Sequence, residues 1–235
     1  MEKTKKLDLS VISKEKKLTK RNDFVEISFT GYHDRKPFDS NRPEDLKKIN
    51  PDAKAEKTIL IIGQDMVVPG LDKALEEKEI GKKYEVHIPY KEAFGSRKRE
   101  LVKTIPLNVF TKQKINPVPG QTLLLDKMLA RIITISGARV ITDFNNPLAG
   151  KDLDYEFTIL RKVDDEKEKC LAFFKFFLRL EEPNLEIQDK KVILTGPKPL
   201  EDLVANFKDK FKEIFGKDLE FKEEEKKEEK EESTS

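Results

Sequence analysis

Val67-Val68-Pro69-Gly70-Leu71-Asp72-Lys73-Ala74-Leu75 is the stretch on which the fold turns. Pro69-Gly70 interrupts an extended run and opens a helix, because the fixed φ of proline suits a first helical turn. Leu71, Ala74 and Leu75 stand at i, i+3 and i+4, so a helix predicted over 71–77, stopping before Gly81, is anchored on one apolar stripe. Upstream, Thr58-Ile59-Leu60-Ile61-Ile62 is an apolar run bounded by Gly63 and reads as a strand buried on both faces. Downstream, Lys83 to Pro89 alternates as a strand and is followed by Ala93-Phe94-Gly95. Further out, Val25, Ile27 and Phe29 alternate with Glu26 and Ser28 up to Gly31, and Leu153 to Ile159 alternates in the same way. Residues 41–57 are polar, carry two prolines, and read as a surface excursion with a helical turn at Glu44–Lys48.

Composition narrows the class. The 235 residues carry 47 basic and 45 acidic side chains, a net charge of +2, and length alone predicts one or two domains. Charged residues make up 39% against about 25% in an average soluble protein. No apolar run approaches the roughly 20 residues of a membrane span. The first residues, MEKTKKLDLSVISKEKK, lack an apolar h-region and do not read as a signal peptide. A single cysteine, Cys170, excludes an internal disulfide framework and points to a reducing cytoplasm. The Lys/Glu excess with little Cys and Met fits a heat-adapted source; an AT-rich genome would look similar.

Charge is distributed unevenly along the chain. Residues 1–22 carry eight basic and three acidic side chains and read as a basic arm or as a short edge strand around Leu7–Ile12. Residues 96–141 form a β-rich unit with nine basic and two acidic side chains and turns at Pro119-Gly120 and Ser136-Gly137. Residues 164–221 form a third section. It holds an apolar helix from Cys170 to Leu180, a strand at Val192–Leu194, and helical spacing from Leu200 to Phe215 closed by Gly216. A last short strand is predicted at Leu219–Phe221, and the charged segment 222–235 reads as a disordered tail.

Most catalytic signatures are missing. His33 and His87 fall in different elements with no metal-ligand spacing around them, and Cys170 sits in an apolar stripe, as an inert thiol would. There is no phosphate-cradling glycine loop and no G-x-S-x-G elbow. Hydrolytic, redox and phosphoryl-transfer chemistry are disfavoured.

What remains is a set of apolar and aromatic residues beside sharp turns. Val25 to Gly31, Phe38-Asp39-Ser40, Val67 to Leu75, Gly81-Lys82, Val86-His87-Ile88-Pro89, Ala93-Phe94-Gly95 and Leu153 to Phe157, in that order, resemble the FKBP family of peptidyl-prolyl isomerases. The basic unit at 96–141 interrupts the family pattern where the flap over the active site lies. With its return through Asn146-Pro147-Leu148-Ala149-Gly150-Lys151 it resembles the insert-in-flap chaperone domain of the SlyD-like and archaeal branch. The resemblance implies an α+β fold: an antiparallel β-sheet wrapped on a short helix (23–95 plus 142–163), an inserted β-rich domain (96–141) and a small C-terminal α/β module (164–221).

It also implies site roles. Phe29, Phe38, Val67, Val68, Leu71, Phe94 and Tyr155 would wall a proline pocket, with Val68 offering its backbone N–H to a substrate carbonyl. Asp39 would be the polar group near the twisting imide. Asp39, Phe38, Val68 and Phe94 are the expected catalytic residues, and Phe29, Val67, Leu71 and Tyr155 the expected substrate-binding ones. Neither metal nor cofactor is implied. Three positions depart from the pattern: Phe29 and Phe94 stand where the family commonly has tyrosine, and Leu71 where many eukaryotic members have tryptophan. Lower turnover and weak macrolide binding follow, and the competing expectation is a holding chaperone with little isomerase activity. The expected partners are unfolded or nascent proline-containing polypeptides, with ribosome or RNA contact through the basic insert as a further expectation and no membrane.

Overall fold

The computed structural model describes residues 18–224. The expected strand at Leu7–Ile12 and most of the charged tail lie outside those residues. The fold is α+β, and a five-stranded antiparallel sheet lies at its centre. Its strands are β1 (Phe24–His33), β2 (Lys36–Ser40), β3 (Thr58–Ile61), β4 (Lys83–Ile88) and β9 (Leu153–Lys162), in the order β2-β1-β9-β4 with β3 also on β1. β2 and β3 share one edge of β1, pairing with Thr30–His33 and with Phe24–Ile27 respectively. Between them lies α1 (Pro43–Ile49), the helical turn of the surface excursion.

The short helix α2 (Pro69–Ala74) buries Leu71, and with it Leu75, among Val25, Ile27, Ile88 and Phe157 of the sheet. It begins two residues earlier than the apolar stripe predicts and ends earlier too, since Glu77 takes φ 56°. Gly70 makes the approach possible: a Cβ there would stand 2.4 Å from Ile88 Cγ2. Asp72 fastens the preceding loop by accepting from the N–H groups of Gly63 (2.8 Å) and Asp65 (3.0 Å). The end of the expected N-terminal arm is not free. Leu18 bridges Glu79, and the fully buried Thr19 donates its hydroxyl to Leu75 O at 2.6 Å, strapping the end of α2.

The insert leaves after Phe94-Gly95 and returns at Gly150, whose N–H reaches Gly95 O at 2.7 Å. It carries β5 (Val102–Pro106), α3 (Leu107–Lys112), β6 (Thr122–Leu125), β7 (Met128–Ser136) and β8 (Arg139–Asp143), in the order β5-β8-β7-β6. Its sheet thus runs two residues past position 141. Phe110, Leu125, Ala130, Ile132 and Val140 form a core of its own.

The C-terminal module packs α4 (Glu166–Leu178), α5 (Leu200–Ala205) and α6 (Lys208–Phe215) with a three-stranded sheet of β10 (Asn184–Ile187), β11 (Lys191–Gly196) and β12 (Asp218–Glu223). The helical spacing from Leu200 to Phe215 is split into two helices at Asn206 and Phe207. β12 takes Lys222 and Glu223, which the sequence assigns to the tail. Phe173, Phe174 and Phe211 centre its core, and Cys170 is buried there, its thiol pushed up to about 12 chiefly by burial. That core also takes in Phe24, Ile61 and Val163, so the module is fused to the central sheet. The apolar run of β3 follows directly: Leu60 and Ile62 enter the core under α2, and Ile61 enters the C-terminal core. Among the described residues no helix is long and apolar enough to cross a membrane.

Candidate active site

Two local devices shape the site. Where β2 leaves β1, the Asn41 side chain continues the ladder, accepting from Phe29 N at 2.8 Å and donating to Ile27 O at 2.7 Å, which fixes the backbone at Phe29. Gly31 lets the rings close over β1, because a Cβ there would lie 2.8 Å from both Phe38 Cζ and Tyr155 Cε1. The strand ladders then bring Gly31 opposite Asp39 on one side and Tyr155 on the other.

The result is a cavity of about 360 Å³ lined by Phe29, Asp39, Met66, Val67, Val68, Leu71, Phe94 and Tyr155. That volume falls in the range of small-ligand sites, roughly 300–1,000 Å³. Seven of the eight residues expected at the site meet here. Phe38 does not line the cavity; it packs edge-on against Tyr155, with ring centroids 5.8 Å apart and planes at 86°. It stands behind Tyr155 and supports that ring. Met66 is the lining residue missed from sequence; its Sδ accepts from Ile61 N at 3.2 Å, which seats it beside β3.

Leu71 forms part of the buried wall, while Phe94 is 37% exposed at the rim, after a single 3-10 turn at Tyr90–Glu92. Val68 caps α2 with its carbonyl accepting from Leu71 and Asp72. Its N–H has no acceptor among the described residues. Two polar side chains face this apolar space. The Asp39 carboxyl is raised above its ordinary value by desolvation, opposed by a backbone hydrogen bond from Ser40. The Tyr155 hydroxyl is raised by burial and then by the negative charge of Asp39. Apart from the Asp39 carboxyl, the lining holds no His, Cys, Ser, Thr or Lys side chain to act as base, nucleophile or metal ligand. The arrangement offers an apolar enclosure, backbone N–H groups without an acceptor among the described residues, that of Val68 among them, one carboxylate and one hydroxyl.

The sequence is similar to those of known proteins. A profile of FKBP-type peptidyl-prolyl cis-trans isomerases matches residues 15–123, and a profile of the FKBP26 IF domain matches residues 103–148. The chain is 31% identical over 151 residues to the short-type peptidyl-prolyl cis-trans isomerase of Methanocaldococcus jannaschii, covering 63% of this chain and 94% of that one. It is 33% identical over 115 residues to the FKBP-type peptidyl-prolyl cis-trans isomerase SlyD of Helicobacter pylori, covering 48% of this chain and 62% of the relative. For the SlyD of Haemophilus influenzae the match is 33% over 103 residues, covering 42% of this chain and 53% of the relative.

Proposed function

Since the chain belongs to the FKBP-type peptidyl-prolyl cis-trans isomerase family, we propose that it turns X–Pro bonds in the cavity around Tyr155 and holds unfolded chain on its insert. The barrier to this rotation is about 18–20 kcal/mol, and the uncatalysed reaction takes tens of seconds or more. In the twisted transition state the imide nitrogen has lost conjugation, and the bond is less polar than in the planar ground state. An apolar enclosure that strips water from the planar imide therefore favours the twisted form. Val68 N–H is free to hold a substrate carbonyl and fix the proline against Leu71. Asp39 lies where it meets the rotating carbonyl group. No covalent step is needed, which accounts for a catalytic protein that lacks the usual catalytic signatures.

The cavity carries this reading through one observation: a free backbone donor at Val68 beside an apolar wall, with the carboxylate of Asp39 across it. Tyr155 supports it further. Phe29 and Phe94 bring no hydroxyl, yet the Tyr155 hydroxyl feels the Asp39 charge within the same lining and serves as the polar partner those positions lack. Titrating the protein with a short Ala-Pro-Phe-containing peptide tests the assignment by NMR. Shifts concentrated at the Val68 amide and the Val67 and Leu71 methyls are expected; shifts confined to other surfaces would remove the site.

The insert supports the chaperone half. Leu124 and Leu129 face each other across β6 and β7 and are 67% and 61% exposed, with Val118, Met128 and Ile133 also exposed. An apolar surface of this kind on a soluble fold marks a site of polypeptide contact. The same unit presents exposed Lys103, Lys112, Lys114, Lys127, Arg131 and Arg139, which supports the further reading of a ribosomal RNA contact in a cytoplasmic setting. Binding to RNA that weakens steeply with salt would favour that contact, and no binding at low salt would eliminate it.

A further inference from the structure

The proline cavity does not end at Met66 and Val67. Phe29, Asp39, Met66 and Val67 also line a second, larger hollow of about 570 Å³ whose far wall is α4 of the C-terminal module. Thr58, Ile59 and Leu60 of β3 form its near wall, and Leu171, Ala172 and Phe176 its far one. Charges rim it: Lys57 pairs with Glu168 at 2.6 Å, and Lys175 with Glu56 at 3.1 Å and Glu181 at 2.8 Å. The Arg179 guanidinium sits 5.6 Å from the Phe176 ring centre.

The near wall is a strand edge. Ile62 exchanges hydrogen bonds toward β1, donating to Asp23 O and accepting from Asn22 N. Antiparallel alternation then turns the backbone of Ile61 and Ile59 the other way. The bond from Ile61 N to Met66 Sδ confirms that direction and leaves the N–H and C=O of Ile59 facing the hollow. An open strand edge recognises extended polypeptide by adding a strand, and side chains beside it choose among residues.

We propose that this hollow is a second substrate subsite, in which an extended stretch of the polypeptide whose proline fills the first cavity lies between β3 and α4. The proposal rests on the isomerase reading, since continuity through four shared residues is what assigns the occupant. A residue flanking the proline places an apolar side chain against Leu171, Ala172 and Phe176, its backbone pairs with Ile59, and charged residues of the client meet the rim. The C-terminal module thereby sets a preference among client sequences rather than only enlarging the fold.

The test compares a fluorescent tetrapeptide containing one X–Pro bond with the same peptide extended by four residues on each side, leucine among them. Anisotropy gives affinity and NMR exchange gives turnover, on the full chain. Partial burial of one leucine corresponds to about a five- to tenfold tighter Kd for the long peptide. Ala172→Trp, which fills the hollow, and Phe176→Ala, which removes a wall, are each expected to abolish that gain. Ala172 and Phe176 lie outside the proline cavity, so tetrapeptide turnover is expected to stay as in the wild type. An undiminished gain in both variants would overturn the subsite. So would unchanged peptide affinity accompanied by loss of a dimer in sedimentation, which would give the hollow to a second copy of the chain. Absent turnover of either peptide by the wild type would count against the isomerase reading instead, and the anisotropy difference would still decide the subsite.

Discussion

Tyr155 carries its hydroxyl into a cavity whose other polar side chain is Asp39, and the two are coupled: the carboxylate charge adds to burial in raising the phenol. Removing that hydroxyl with Tyr155→Phe keeps the ring that Phe38 and Phe29 pack against. Turnover of a short X–Pro peptide is expected to fall by about three- to tenfold, the worth of one hydrogen bond at roughly 0.5–1.5 kcal/mol, with little change in Tm. Asp39→Ala is expected to slow turnover at least as much without loss of stability, because desolvation already disfavours the charged form in the folded state. Equal turnover in both variants and the wild type would remove these two side chains from the mechanism. Asp45 behaves oppositely. It is 7% exposed and accepts from Lys48 Nζ at 2.7 Å and Thr30 Oγ1 at 2.9 Å, and the Lys48 hydrogen bond leads in holding its carboxyl below the usual range. A depressed folded-state value stabilises the fold fully above the unfolded value near 3.9, and that stabilisation is lost as pH falls through the folded value. The stability gap between wild type and Asp45→Asn is therefore expected to be widest at neutral pH and to close on acidification below about pH 4. A gap independent of pH would contradict this.

At the scale of elements, the placement of α2 depends on Gly70. Its Cβ would meet Ile88 Cγ2 at 2.4 Å and the carbonyl oxygen of Glu92 at 3.2 Å, so Gly70→Ala must push the helix off β4. Overpacking of this kind costs about 1–3 kcal/mol, read as a lowered denaturant midpoint. A midpoint unchanged from wild type would show that the helix has room to shift. The Pro69-Gly70 signal and its apolar stripe were legible in the sequence because a helix start and a 3.6-residue period are local properties. So were the alternating strands β1, β4 and β9, whose partners need only pair in register. The edge-on packing of Phe38 on Tyr155 was not legible, because it depends on β2 and β9 flanking β1 at Gly31. Met66 left no signal, since its seat is made by Ile61 of β3, which no periodicity links to it. The break at Asn206 and Phe207 was hidden too: the helical spacing continues through it, and both residues tolerate a helix. The hollow that β3 and α4 both line sets Thr58 and Phe176 around one space, a juxtaposition that only tertiary packing makes.

At the scale of the whole molecule, the central sheet and the segments around α2 supply the cavity, the insert leaves the chain just after its rim, and α4 of the C-terminal module walls the adjoining hollow. Phe94 leads into the neck of the insert, where Lys98 N donates to Asn145 Oδ1 at 2.8 Å and Asn145 Nδ2 donates to Lys98 O at 3.0 Å. Holding a client on the exposed face of β6 and β7 keeps its prolines near the cavity at raised effective concentration. Replacing 99–144 by a short Gly-Ser bridge is therefore expected to spare tetrapeptide turnover while reducing catalysis of proline-limited protein refolding by about tenfold or more. Equal losses in the two assays would contradict client capture by the insert. The claim beneath all of this is that an apolar cavity with the Val68 N–H and one carboxylate turns the X–Pro bond. The most direct check is the cis–trans exchange rate of a short X–Pro peptide by NMR exchange spectroscopy, with and without a catalytic amount of the full chain. Acceleration in wild type that is strongly reduced in Asp39→Ala, with the fold intact by circular dichroism, is the predicted result. No acceleration by a folded wild-type chain would contradict it and leave a polypeptide-holding protein in an isomerase fold.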